Sequence, residues 1–182
     1  MPGLKGLLDA CVLYPPILRT ILLAAAQAGL YRPLWSPRIL EEWARAVARD
    51  GPEAEVQARG EIALLQAEWP RATVHPGAAT QARLWLPDPN DIHVLAAASD
   101  GGADVLITLN LRDFPKREVA AEGVRVLAPD PFLMELWLSE AAAVEDAVGA
   151  VHRMAEAMNG APVDRRKMLR RAHLPRLGKA LG

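Results

Sequence analysis

Three acidic residues stand where an apolar segment of the chain ends or a helix begins. Asp9 closes the apolar segment 6–8, Asp113 lies in the polar turn after the apolar segment 103–108, and Asp91 opens a segment of helical periodicity. An isolated carboxylate at the end of a buried strand costs several kcal/mol in desolvation, so Asp9 needs a partner. Carboxylates that are brought together repel one another, and a hard divalent cation bound through oxygen is the counter-charge that suits them. The acids therefore predict a site for Mg²⁺ or Mn²⁺ rather than zinc, because they offer no imidazole or thiolate.

Each of these acids alone has a simpler interpretation. Asp9 and Asp91 are each explained as a cap of the helical turn that follows, and Asp113 as an ordinary turn residue. The prediction of a metal site depends on all three acids lying where the carboxyl ends of strands meet. No basic residue is placed at each acid to neutralise it.

A fourth acid is expected from a helix that Ser36 opens as N-cap, with Pro37 at its first position. Glu41 and Glu42 are adjacent in this helix, so they cannot share a face. Glu41 lies four residues before Arg45 and is predicted to pair with it, which leaves Glu42 free to point toward the sheet.

Other chemistries lack their motifs in this sequence. It contains no Gly-rich nucleotide-binding loop, no Cys/His cluster for zinc and no Gly-x-Ser-x-Gly elbow. Its apolar fraction of 51% and charged fraction of 24% are ordinary for a globular protein. No apolar segment reaches the ~20 residues of a membrane span. The single cysteine, Cys11, is predicted to be buried apolar filler, and it fits a reducing, cytoplasmic location.

The elements that must position these residues alternate between strands and helices. Strands are predicted at residues 6–9, 103–108 and 124–127, with a strand or an extended link at 30–35. The alternation predicts a parallel sheet that helices cover on both faces. The predicted helices cover about residues 17–28, 36–48, 53–69, 90–101, 114–122, 131–138, 139–158 and 163–172.

The last part of the chain differs from the rest. No strand is predicted after residue 127, so we predict an α/β domain at residues 1–135 and a helical extension with a basic tail at 136–182. Asp130 is expected to cap the helix that Pro131 opens. The first 150 residues hold 13 basic and 20 acidic groups, whereas the remainder holds eight and two. A polyanionic or acidic partner for the basic tail explains this asymmetry, and ordinary drift of surface charge explains it equally well.

Four segments, in this order, resemble the PIN-domain ribonucleases and in particular the VapC-like toxins of bacterial toxin–antitoxin pairs. The segments are 8–15 (LDACVLYP), 36–43 (SPRILEEW), 88–98 (DPNDIHVLAAA) and 108–115 (TLNLRDFP). The resemblance implies a three-layer α/β/α fold with a short parallel sheet, followed by C-terminal helices. It also implies an endoribonuclease that depends on Mg²⁺ or Mn²⁺, with a cognate antitoxin and a homodimeric state.

The resemblance also implies roles for single residues. Asp9, Glu42, Asp91 and Asp113 form the implied catalytic set, and all but Glu42 are implied metal ligands. Four further residues are implied beside the ligands or the substrate. They are Ser36, Thr108, Asn110 and Arg112.

Two positions depart from the pattern of many PIN domains. Cys11 stands where many members have Asn or Ser, which concerns the hydrogen bonding of Asp9. Asn110 stands where many have Asp, which removes one negative charge and bears on a second metal ion.

Two other functions are considered as alternatives to a nuclease. A catalytically silent PIN-like module would bind RNA or a protein, with affinity from the basic segment Arg165–Lys179, but such a binder has no use for clustered acids without metal. A haloacid-type phosphatase would require Asp-x-Asp at the first strand, and Cys11 replaces the second acid.

Overall fold

A four-stranded parallel sheet forms the centre of the protein. The computed structural model describes residues 3–182, and the strands lie in the order β2-β1-β3-β4. The strands are β1 (Lys5–Leu8), β2 (Arg32–Leu34), β3 (Val105–Ile107) and β4 (Arg125–Leu127). All pairings between them are parallel, which confirms the predicted sheet.

The register of the sheet brings the carboxyl ends of the two central strands together. Leu7 of β1 pairs with Leu34 of β2 on one side and with Leu106 of β3 on the other. Leu106 in turn pairs with Val126 of β4. All of β3 is buried, as expected for a strand with helices on both of its faces.

Helices connect the strands and flank the sheet. Within the described residues they are α1 (Ala10–Leu13), α2 (Pro16–Gln27), α3 (Pro37–Val47), α4 (Pro52–Glu68), α5 (Ala78–Arg83), α6 (Ile92–Asp100), α7 (Lys116–Ala121), α8 (Pro129–Ser139), α9 (Ala141–Asn159), α10 (Arg165–Arg171) and α11 (Pro175–Leu181). Helix α6 packs against β1 and β3, α2 against β2, and α7 against β4. The α/β fold with a short parallel sheet and C-terminal helices is thus as predicted.

Helix α3 begins as the sequence predicts. The Ser36 side chain is 1% exposed, and its Oγ accepts a hydrogen bond from Ile39 N at 3.1 Å. Leu40 and Trp43 lie on the buried face with Ile39. This anchored face fixes how α3 presents Glu42.

The C-terminal helices pack against the rest of the molecule. Helix α9 contacts α2 and α8, and α11 contacts α8 and α10. Leu169, Leu174 and Leu177 are fully buried. The predicted boundary after residue 135 falls inside α8, and the division into two units stays a prediction. No helix within residues 3–182 combines the length and apolarity needed to cross a lipid bilayer.

Asp130 has a different role from the predicted one. The cap position of α8 is Ala128, so Asp130 already lies inside that helix. Its buried carboxylate accepts hydrogen bonds from Arg176 N at 2.8 Å and from Leu177 N at 3.0 Å. The prediction that Asp130 caps its own helix is therefore wrong, because it satisfies the first N–H groups of α11 instead. Helix α11 itself was not predicted.

Candidate active site

Asp9 and Thr108 meet where the two central strands end. Each residue directly follows its strand, and Asp9 N donates to Ile107 O at 3.1 Å. Thr108, which is fully buried, donates from Oγ1 to Oδ2 of Asp9 at 2.8 Å. The structure therefore brings together the ends of β1 and β3, as the parallel sheet requires.

Asp9 is both a helix cap and a member of this cluster. Its Oδ1 accepts from Ala10 N at 2.8 Å, which caps the one-turn helix α1. The residue is only 6% exposed, and this burial raises the pKa of its carboxyl group against the opposing effect of its hydrogen bonds. Both carboxylate oxygens are held, so the orientation of Asp9 is fixed by its neighbours.

Cys11 takes part in this hydrogen-bonded cluster. Its Sγ lies 3.6 Å from Asp9 Oδ2 and 3.4 Å from Thr108 Oγ1, and it accepts from Leu109 N at 3.3 Å. Burial and the charge of Asp9 raise the pKa of the Cys11 thiol to about 12, so its proton is retained. The thiol therefore packs against the core, as predicted for apolar filler, and in addition supports Asp9.

Asp91 lies at the start of α6 with its carboxylate free of a capping role. Asp88 caps the preceding 3₁₀ turn by accepting from Asn90 N at 2.9 Å, whereas Asp91 makes no side-chain cap bond. Burial raises the pKa of Asp91 to about 6, followed by the negative charges of Asp113, Asp88, Asp9 and Glu42. The simple capping interpretation of Asp91 is thus excluded. Because the charges of Asp9, Glu42 and Asp113 all act on Asp91, the four predicted acids lie near one another at one edge of the sheet.

The turn after β3 supplies Asp113 and its neighbours. Leu111–Asp113 form a single 3₁₀ turn, and the following Phe114 is fully buried and anchors it. Asn110 N donates to Thr108 Oγ1 at 3.0 Å, which ties the start of the turn to the Asp9 cluster. Asn110 and Arg112 are exposed beside Asp113, so both are accessible to a substrate.

Glu41 and Glu42 separate as predicted. Glu41 Oε1 accepts from Arg45 Nε at 3.1 Å, and Arg59 binds the same carboxylate. Glu42 points toward α6, and its side chain is 39% exposed. Arg38 approaches Glu42 at 3.6 Å. Ser36 is buried beneath this helix, so it positions Glu42 through the helix start, and its contact with a substrate stays a prediction.

His93 is a neighbour of the site that sequence reasoning missed. It is 2% exposed, and its Nε2 lies 2.8 Å from Glu42 Oε1. Neither ring nitrogen has hydrogen-bond geometry to a partner within residues 3–182, so Nε2 approaches Glu42 without an aligned hydrogen bond. The sequence signal available for His93 was a single polar residue among the apolar residues of an Ala-rich helix.

The donor set suits an open site for a hard cation. Within residues 3–182, no three His, Cys, Asp or Glu side chains are close enough to enclose a metal ion on their own. Mg²⁺ is commonly held by one or two carboxylates, with water and substrate phosphates as its remaining ligands. Asp9, Asp91 and Asp113 supply carboxylate oxygens. Burial and then the neighbouring negative charges raise the pKa of Asp91, and a cation would relieve the repulsion between these charges. The residues therefore fit Mg²⁺ or Mn²⁺ in an open site, and their roles as ligands stay a prediction.

Comparison with models of protein families gives a match, whereas comparisons with curated proteins and with solved structures gave none. The matching family model is described as the PIN domain, and it covers residues 5–112. The matched part includes Asp9, Glu42 and Asp91 and ends one residue before Asp113. More than half of the chain is matched, and the chain belongs to the PIN-domain family.

Proposed function

We propose that this protein is an endoribonuclease that depends on Mg²⁺ or Mn²⁺ and hydrolyses RNA phosphodiester bonds. PIN domains are generally nucleases and typically use divalent metals, which supports this class of reaction. One observation carries the proposal: the Asp91 carboxylate caps no helix and lies beside other acids, and burial followed by their charges raises its pKa to about 6. Such repulsion at a sheet edge is typical of a functional site rather than of a structural ion pair.

When bound, the metal supplies Lewis-acid chemistry, which lowers the pKa of water and stabilises charge on the phosphate. The chain's residues bind and orient the reactants. Asp91 and Asp113 offer carboxylate oxygens, and Asp9 is held ready by Thr108 and the Ala10 N–H. This prior fixation of Asp9 avoids a reorganisation cost during the reaction.

Glu42 is suited to a different role from that of the other acids. It comes from α3 rather than from a strand end, and its side chain is 39% exposed. We propose that it accepts a hydrogen bond from the attacking water and so orients that water toward phosphorus. Exposed Asn110 and Arg112 would contact the phosphate, since amide and guanidinium groups donate to its oxygens.

The experiment that tests the proposal is cleavage of a panel of RNAs with Mg²⁺, with Mn²⁺ and with EDTA. We expect cleavage that EDTA abolishes and Mg²⁺ restores, with 5′-phosphate ends on the products. Asp9→Asn should lower the rate about 1,000-fold or more, because it removes a charge worth several kcal/mol at a metal site. The amide keeps an oxygen for the Ala10 N–H, so thermal unfolding should change little.

Two outcomes would contradict this proposal. Cleavage by Asp9→Asn at the wild-type rate and at ordinary metal concentration would remove Asp9 from the reaction. Binding of RNA without cleavage under any of the metal conditions would favour the catalytically silent module instead.

We further propose that the protein is a toxin whose cognate antitoxin covers the acidic edge, and that it acts in the cytoplasm as a homodimer. The resemblance to VapC-like toxins and the thiol state of Cys11 support this. Induced expression should arrest growth, whereas Asp9→Asn should not, and sequencing of the RNA ends would identify the cleaved RNA. Light scattering of the purified protein tests the dimer. Growth that is unaffected by an active enzyme would indicate a housekeeping nuclease.

A further inference from the structure

A groove of about 630 Å³ lies between the start of α2 and the C-terminal helices. Residues 15–18 line one side of it, and Ala155 and Asn159 of α9 line another. Residues 162–164, which include the acid Asp164, complete the lining together with Met168, Ala172 and two cations of α10, Lys167 and Arg171. Because these two residues are four apart in a helix, they present their charges on the same face.

This groove lies at the same edge of the sheet as the acidic site. Strand β1 ends at Leu8, and β2 runs parallel to it from Arg32. Helix α2 must therefore return from the carboxyl edge to the amino edge, which places its first residue, Pro16, at the carboxyl edge. The short helix α1 is the main part of the connection between Asp9 and Pro15, so these residues are no more than roughly 15 Å apart.

The cations of the groove have no acidic partner, in contrast to arginines such as Arg59 and Arg83 that form ion pairs elsewhere in the described residues. Lys167 and Arg171 are exposed, and neither forms an ion pair with an acid of residues 3–182. The helix that carries them is nevertheless fixed, because Met168 and Leu169 between them are buried. Two unpaired cations are thus held at a constant place beside an apolar wall.

We propose that this groove binds the backbone of single-stranded RNA where the strand leaves the acidic site. The inference rests on the proposed function, since it concerns the substrate of that same site. A cluster of acids repels a polyanion, so a nuclease of this kind requires cations nearby to hold the strand. Phosphates would contact Lys167 and Arg171, and the apolar wall at residues 15–18 would contact sugars and bases.

Point substitutions test this better than removal of the tail. A chain that ends at Gly160 would lose Leu169, Leu174 and Leu177, which are fully buried, and would expose the core they cover. The double variant Lys167→Ala/Arg171→Ala removes only the exposed charges. Arg166→Ala/Arg170→Ala is its matched control, because it removes two exposed cations from the same helix at the same spacing but outside the groove lining.

Binding is measured in full-length protein that also carries Asp9→Asn, so that no RNA is cut. The probe is fluorescein-labelled oligouridylate of about 20 nucleotides, and anisotropy is recorded over a range of NaCl concentrations. We expect the groove variant to lose about tenfold in affinity and its salt slope to fall by about 0.7 for each lost phosphate contact. The control variant should stay within about threefold of its parent. Thermal unfolding of both variants checks that α10 remains folded.

Two outcomes would overturn this inference. Unchanged affinity and salt slope in the groove variant would show that RNA does not bind in the groove. Equal losses of affinity in both variants would show that only the net charge of the protein matters. If polyglutamate, but not RNA, binds in a manner that requires Lys167 and Arg171, the groove belongs to an acidic protein and the inference is also overturned.

A separate measurement distinguishes this inference from the proposed function. With Asp9 intact, the groove variant should cleave an RNA of about four nucleotides at the parent rate and a long RNA more slowly. Loss of activity on both the short and the long RNA would contradict the proposal that the groove binds RNA. If the parent protein itself cleaves no RNA, the proposed nuclease function is contradicted. The binding comparison would still show whether the groove binds RNA.

Discussion

Acids that pair with arginine and acids at the sheet edge have opposite surroundings. The hydrogen bonds of Arg59 lower the pKa of Glu41 to about 2, and those of Arg83 lower the pKa of Glu122 to about 2. At the sheet edge, burial and neighbouring acids raise the pKa of Asp91 to about 6. The same type of group is thus stabilised in its charged form in one region and destabilised in the other.

This difference depends on where the basic residues lie and not on how many the chain contains. The chain contains 21 Lys and Arg residues, and arginine pairs join α3 to α4 through Arg59 and join α5 to the end of α7 through Arg83. An arginine within the Asp91 cluster would neutralise the acids and would also take the place of a metal ion. The acids at the sheet edge therefore lack the stabilising ion pairs that Glu41 and Glu122 have, and such a loss of stability is common at functional sites.

After Asp9→Asn, the largest expected effect comes from Asp91→Asn, which removes the acid on which the charges of its neighbours act. The cleavage rate should fall about 100-fold or more, because a ligand charge is lost. In EDTA at pH 8 the variant should be more stable than the wild type. After a discount for the solvent exposure of this group, we expect a gain of about 1 kcal/mol in the free energy of unfolding.

The sign of this effect follows from the raised pKa. Between the ordinary value of 3.8 and about 6, the folded protein binds more protons at Asp91 than the unfolded chain does. Its stability therefore falls as the pH rises through this window, and the loss persists above it. Urea unfolding of both proteins at pH 4 and pH 8 measures the difference, which should be small at the lower pH. A variant that is less stable than the wild type at pH 8 without metal would show that the edge is not repulsive.

The next effect in size separates two adjacent residues. Glu42→Gln should lower kcat about 10- to 100-fold, because Glu42 couples to Asp91 and lies against His93. Glu41→Gln is the matched control, and it should leave kcat within about twofold while it weakens the pairs with Arg59 and Arg45. Steady-state cleavage and thermal unfolding of both variants distinguish the two roles. Equal losses of kcat would show that the charge of the helix, not the position of Glu42, matters.

Most of the sheet and its edge could be predicted from local patterns. Strands β1 and β3 are short apolar segments that end in Asp9 and Thr108, and parallel pairing requires such ends to meet. The separation of Glu41 from Glu42 follows from helical spacing alone. These predictions needed only the period of each element and the order of elements along the chain.

The parts that were missed depend on contacts between distant residues. Asp130 binds the N–H groups of Arg176 and Leu177, which are 46 and 47 positions away, so its own neighbours favoured the wrong helix. His93 reaches Glu42 only because α6 packs beside α3, and helical spacing gives no sign of that approach. Cys11 packs against the core as predicted, but its contacts with Thr108 and Leu109 do not follow from its own neighbours, because these partners are 97 and 98 positions away.

The smallest expected effect concerns Cys11, which supports Asp9 without bearing a charge. Cys11→Ala would leave the Leu109 N–H without its acceptor and would remove the weak S–H bond toward Asp9 or Thr108. An unsatisfied, part-buried N–H costs about 1 kcal/mol or slightly more, and the cleavage rate should fall a few-fold. Cys11→Ser keeps a donor and an acceptor, so it should recover most of both losses. Urea unfolding and cleavage rates of the two variants provide the test. If Cys11→Ala cleaved at the wild-type rate, Thr108 and the Ala10 N–H alone would be enough to hold Asp9 in place.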